Sequence, residues 1–229
     1  MSIEEIKKLE TIGLNDTFSF TCKACGKCCR NRKDIVLTPY DVFRIAGYLG
    51  RTAEEIITRY CQVYEGHDSH FPVVWLHPVP PNDTCPFLRN RKCLVHEAKP
   101  VLCRVYPLAR INQGTGSSRY YFNGYSCNHD PKQVTVREWI QDVASEDSER
   151  AGRIWTDTLR CLLPVIHPEK LMRSGEEREQ ILGMIFALLW FPYDTLTTFT
   201  PQLERNFEIL WGCLQKEFHV SVPNLQELL

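Results

Sequence analysis

The chain has no long apolar segment. Its longest run, Ile181 to Phe191, stops at Pro192 and is too short to cross a bilayer. It has no charge excess either: 27 Lys and Arg stand against 28 Asp and Glu, a net charge of −1, so no global field draws it to nucleic acid or an anionic membrane. The 12 glycines are dispersed, and no G-x-G-x-G loop follows a strand, so a nucleotide-type cofactor has no signature here. Basic and aromatic residues do not interleave into the stripe of a nucleic-acid module. The opening residues, M-S-I-E-E-I-K-K-L-E, carry charge from the fourth position and lack the apolar stretch of a secretory signal, so a cytoplasmic location is expected. No internal repeat or low-complexity tract occurs.

What the chain does have is cysteine, 11 in 229 residues. Four arrive together in T-C-K-A-C-G-K-C-C-R as Cys22, Cys25, Cys28 and Cys29, and Cys85, Cys93, Cys103 and Cys127 follow in irregular, polar sequence. Thiolates are the preferred ligands of zinc and of iron–sulfur clusters, and Cys-x2-Cys spacing brings two sulfurs to one metal from a single turn. An odd cysteine count in a reducing compartment favours metal ligation over disulfides. These eight cysteines are therefore the candidate ligands. Cys22, Cys25 and Cys28 share the x2, x2 spacing of bacterial ferredoxins without the x3-C-P ending, and the C-x3-C-x2-C of radical SAM proteins is absent. Eight thiolates satisfy two four-cysteine zinc sites or up to two [4Fe–4S] clusters, and spacing alone leaves the metal and the partition open.

The remaining candidates are weaker. Cys61, Cys161 and Cys213 fall in segments read as helical with apolar neighbours, where free cysteine behaves as a core residue. His96 and His129 border the cysteines and are secondary candidates. Arg30, Arg32 and Lys33 follow the first cysteine group, Arg89, Arg91 and Lys92 precede Cys93, and Arg104 follows Cys103. Any of them brought close would offset the negative charge of a thiolate-ligated centre. Charge divides mildly along the chain, with 17 Lys and Arg against 13 Asp and Glu through residue 130 and 10 against 15 after it.

The expected fold is mainly α, with a small irregular and β region stapled by metal and an α-helical C-terminal part. Residues 1–15 read as an amphipathic lead-in helix, D-I-V-L and Val73–Leu76 as strands, and Thr38-Pro39 and Thr52 as helix starts. Gly114 to Gly116 marks a hairpin turn, and Thr135–Leu163, Glu176–Trp190 and Pro201–Phe218 carry helical periodicity. A change of character after Pro131 divides the chain into a cysteine-cluster metal-binding domain, 1–130, and a helical region, 131–229, packed on it.

From Phe18 to Asn128 these motifs resemble the YkgJ-type cysteine-cluster family, zinc- or iron-chelating domains with a CxxCxxCC signature. The resemblance rests on F-T-C-K-A-C-G-K-C-C-R, I-V-L-T-P-Y-D, C-P-F-L, K-C-L-V-H-E-A-K-P-V-L-C-R-V-Y-P and Cys127. It implies metal chelation by these cysteines. Three functions follow in order: an iron–sulfur protein for electron transfer or service as an accessory factor, a structural zinc module presenting a surface to a protein partner, and a cluster-dependent protein-modifying enzyme. The last is implied by family members called flagellin lysine-N-methylases.

Overall fold

The computed structural model describes residues 3–67, 69–113, 117–124, 132–141, 145–166 and 174–220. Cys127, His129 and the 114–116 turn lie outside them. About 49% of the described residues are helical and 20% are in strands, with ten strands in four small sheets beside eight helices. The mainly-α expectation is therefore wrong, and the chain is a mixed α and β protein. The reason is strand length. Among the described residues no strand exceeds six residues and several have only two, too few for a period-two pattern to stand out in those.

The N-terminal segment shows the difference locally. Helix α1 (Ile3–Lys7) ends early, and strand β1 (Thr11–Ile12) takes up the residues read as its continuation. Gly13 then donates its N–H to Asp16 Oδ2 at 2.7 Å, a local turn that competes with helix. Strand β2 (Thr17–Phe20) pairs antiparallel with β10 (Lys132–Thr135), while β1 joins the hairpin of β8 (Leu108–Gln113) and β9 (Ser117–Phe122). A third sheet runs β3 (Val36–Leu37), β5 (Pro72–Leu76), β4 (Cys61–Glu65), so Cys61 ends a helix and opens a strand. The smallest is the hairpin of β6 (Leu88–Arg89) and β7 (Lys92–Cys93).

The predicted helix starts are where the sequence puts them. α2 (Pro39–Leu49) and α3 (Ala53–Tyr60) begin at Thr38 and Thr52, each with a complete capping box, and α2 ends at Gly50 in the left-handed region. Beyond Pro131 the single helix read from Thr135 onward is two, α5 (Val136–Ile140) and α6 (Glu146–Ile166). α7 (Gly175–Trp190) and α8 (Phe199–Phe218) complete the set, with the short α4 (Val101–Val105) among the cysteines.

These elements bury two separate apolar cores. The larger joins α2, α3 and β5 to α6, α7 and α8 through side chains such as Ile45, Ile56, Val74, Leu162, Leu189 and Trp211, all at most 1% exposed. The smaller is aromatic, formed by Phe18 and Phe20 of β2, Tyr120, Val136 and Ile140, with Trp139 edge-on to both phenylalanines. Leu189→Ala, which empties a site in the larger core, should lower stability by about 2–5 kcal/mol, seen as an earlier urea midpoint with an unchanged slope.

Candidate metal centre

The seven described candidate cysteines come from four stretches of chain, and each stretch is placed by local backbone geometry. Gly26, at φ +69°, lets the chain turn between Cys25 and the single 3₁₀ turn Lys27–Cys29. A Cβ there would lie 2.8 Å from a Leu88 methyl and would force that side chain to shift, on top of the strain that the positive φ imposes on other residues. Three backbone bonds dock this turn onto the loop before Cys85: Cys85 N–H to Cys29 O at 2.8 Å, Asn31 N–H to Asn82 O at 2.9 Å and Arg32 N–H to Asp83 O at 3.0 Å. Cys93 is brought back by the two-residue turn of the β6–β7 hairpin, where Asn90 and Arg91 both take positive φ. Cys103 rides on the single turn of α4.

That last turn is anchored by Asp41, 3% exposed at the start of α2. One carboxylate oxygen, Oδ2, accepts from the Thr38 N–H at 2.9 Å and the Thr38 hydroxyl at 2.8 Å. The other, Oδ1, accepts from the Val101 N–H at 2.8 Å, across 60 residues of chain. Burial pushes the Asp41 pKa up, and the Thr38 and Val101 hydrogen bonds pull against that shift. One side chain thus caps α2 within the larger core and orients the turn that carries Cys103.

Cys22, Cys25, Cys28, Cys29, Cys85, Cys93 and Cys103 all line one cavity of about 290 Å³. Cys22 is exposed, Cys85 is buried and the other five are half-buried. The cavity sits at the seam of the two cores: Cys29, Cys85, Cys93 and Cys103 belong to or pack on the larger, and Cys25 packs on the smaller. Phe20, Tyr106 and Trp139 close it from the aromatic side. The secondary candidate His96 also lines it. Cys61, Cys161 and Cys213 do not, and the first two pack against the larger core.

Thiolate character is uneven around the cavity. The Cys28 thiol is lowered to about 6, first by a hydrogen bond from Cys29, with Lys99 and Arg32 helping and burial opposing. Cys29, as donor, is pushed strongly up. Burial raises Cys85 to about 11 and also raises Cys93 and Cys103. Arg32 is folded inward, its side chain 16% exposed, with its Nη1 donating to Cys28 O at 3.2 Å and its Nε to Asp34 at 2.5 Å. Burial works against its charge, but Asp34, Cys103 and Cys28 more than restore it. The other basic residues of the two tracts behave as surface groups. Lys33 pairs with Asp83, and Arg89, Arg91 and Lys92 are exposed on the hairpin.

The donor set fits a thiophilic metal, with seven thiols and one imidazole against a single carboxylate, Glu97, on the cavity wall. Among the described residues no three Cys, His, Asp or Glu side chains already stand at ion-holding separation. A bound metal would have to gather them, so that metal affinity becomes folding free energy. Asp41 is the residue that sequence reasoning undervalued. Its bond to Val101, 60 residues along the chain, has no local signal. Lys99 and Trp139 were missed altogether, because nothing in their local sequence says that they face sulfur.

Asp41→Asn should lower metal bound per chain and cost about 1–3 kcal/mol, the range for a lost hydrogen bond to a buried charged group. Glu55→Gln removes the matching residue of the α3 capping box, remote from the cysteines, and should leave metal content unchanged. Elemental analysis paired with urea unfolding of both variants checks this.

Comparison with known proteins agrees with the donor chemistry. A 91-residue stretch is 29% identical to uncharacterized protein MJ0661 of Methanocaldococcus jannaschii, covering 39% of this chain and 44% of that one. The chain thus spans less than half the length of this relative. No solved structure matches. The CxxCxxCC model, described as a "putative zinc- or iron-chelating domain", matches residues 21–136, just over half the chain. With its first four cysteines in that spacing and seven thiols around one cavity, the protein belongs to the CxxCxxCC family of metal-chelating domains.

Proposed function

We propose that the cysteine cavity holds iron–sulfur, one or two [4Fe–4S] clusters, and that the protein serves in electron transfer or as a cluster-bearing accessory factor in the cytoplasm. The observation that carries this reading is the convergence of seven thiols on one shared cavity. Two closed zinc sites of four cysteines each would be expected to keep their ligands in separate groups, since each ion needs only its own tetrahedron. Here the thiols of separate segments also act on one another: Cys85 and Cys103 raise Cys29, Cys93 raises Cys85, and Cys22 raises Cys93. Cluster chemistry tolerates a larger common space and draws its four thiolates from any of these segments. Cys127 would complete the set.

The surroundings support a redox role. A four-thiolate [4Fe–4S]²⁺ centre carries a net charge of −2, and Arg32 and Lys99 act on the cavity thiols with the opposite sign. Cys22 is exposed, so one edge of the centre would lie at the surface, where electron exchange with a protein partner is fastest. A structural zinc module is the second reading. It is favoured by how little regular structure holds the cysteines, since two-residue strands and single helical turns gain most from a metal staple.

Protein purified without oxygen decides between them. Iron and acid-labile sulfide in equal amounts, with broad visible absorbance from sulfur-to-iron charge transfer, is the expected result. Zinc without sulfide would overturn it. Cys25→Ser should lower both bound metal and melting temperature, whereas Cys213→Ser should leave metal content intact. Full metal content in Cys25→Ser would remove Cys25 from the ligand set.

A further inference from the structure

Behind the cysteine cavity lies a second and larger one, of about 500 Å³, within the size range of small-molecule sites. The two share a wall, since Cys28 and Arg32 line both. The larger cavity has two unlike sides. Trp155 of α6 and Phe199 and Leu203 of α8 form an apolar side, with Phe199 and Leu203 at most 1% exposed and Tyr40 packed on Phe199 at 5.2 Å between ring centres. The other side carries Lys27, Arg30, Arg32 and Arg110 against only two carboxylates, Asp34 and Asp41.

Both lining carboxylates are already engaged. Asp41 is taken by Thr38 and Val101, and Asp34 by Arg32. Arg30 is exposed and has no ion pair or side-chain hydrogen bond among the described residues. Arg110 is the buried cation of the wall, its side chain 8% exposed. Its Nε donates to Asn112 Oδ1 at 2.9 Å, and its Nη1 is ion-paired with Glu149 Oε1 at 3.1 Å, though without the alignment of a hydrogen bond. A buried guanidinium whose five donors are only partly engaged keeps capacity for a further acceptor. Arginine is also the side chain best matched to a carboxylate.

We propose that this cavity binds a small organic carboxylate, its charged end toward Arg30 and Arg110 and its apolar body against the half-buried Trp155, beside the metal centre. The inference concerns a separate cavity and does not depend on which metal the cysteines hold. It gives the C-terminal helices a role that their sequence does not announce: they supply the apolar half of a site whose charged half comes mainly from the cysteine region.

The test is calorimetric titration of the metal-loaded protein with benzoate, acetate and benzamide, with metal content measured before and after. Benzoate should bind saturably. Acetate, which lacks the apolar body, and benzamide, which lacks the charge, should each bind roughly tenfold more weakly or not at all. Arg110→Gln should weaken benzoate roughly tenfold, as expected for loss of one charge-assisted contact. Because that change leaves Glu149 without its cation and can disturb folding, Arg30→Gln, at an exposed position, serves as the second variant and should weaken benzoate in the same direction. No saturable benzoate binding, equal binding of benzamide or acetate, or full affinity in both variants would overturn the proposal. None of these outcomes bears on the iron and sulfide content by which the cluster reading stands or falls.

Discussion

The carboxylate of Asp41 joins α2 to the turn that carries Cys103, a link that Arg44 reinforces by donating to Glu97 O. One oxygen finishes the cap of α2, the helix that enters the larger core, and the other takes the first N–H of the turn carrying Cys103. A buried acid accepting three hydrogen bonds is costly to place and more costly to disturb, since each donor left behind would also be buried without a partner. Around it the cysteine region has little of its own to hold shape. Its strands are two residues long and its helices single turns, so backbone bonds such as Cys85 to Cys29 define positions that side-chain packing alone would leave loose.

The cavity lies between two cores. The larger is mostly helical and aliphatic and the smaller is aromatic, and thiols project from elements attached to each. A metal bound there ties both cores to one point. Loss of the metal would then be felt in both halves of the fold at once, because binding energy and folding energy are the same quantity at such a site. The same arrangement explains the charge pattern. Arg32 is drawn inward, bonded to Cys28 O and Asp34, and acts on the sulfur face, while its sequence neighbours Arg30 and Lys33 remain exposed.

Among the described residues no helix is long and apolar enough to cross a bilayer. The apolar residues of α7 are instead consumed internally: Ile181, Ile185 and Leu189 are fully buried against the helices and strand of the larger core. The helical C-terminal part packs against α2, α3 and β5 through the larger core. It also supplies one wall of the cavity behind the cysteines.

Features governed by neighbours along the chain were readable directly. The helix starts at Thr38, Thr52 and Thr135 depend on contacts within a few residues, and each appears as the residues imply. The balance of helix and strand was not readable. Strands such as Thr11–Ile12 and Val36–Leu37 are too short to carry a pattern and exist only because a distant partner supplies their hydrogen bonds. Family membership could be read from the cysteine spacing, whereas Asp41 to Val101, Arg32 to Cys28 and the wall shared by two cavities came only from tertiary structure. Spacing along a chain specifies which atoms are available to a site, and only the folded backbone decides which of them face the same space.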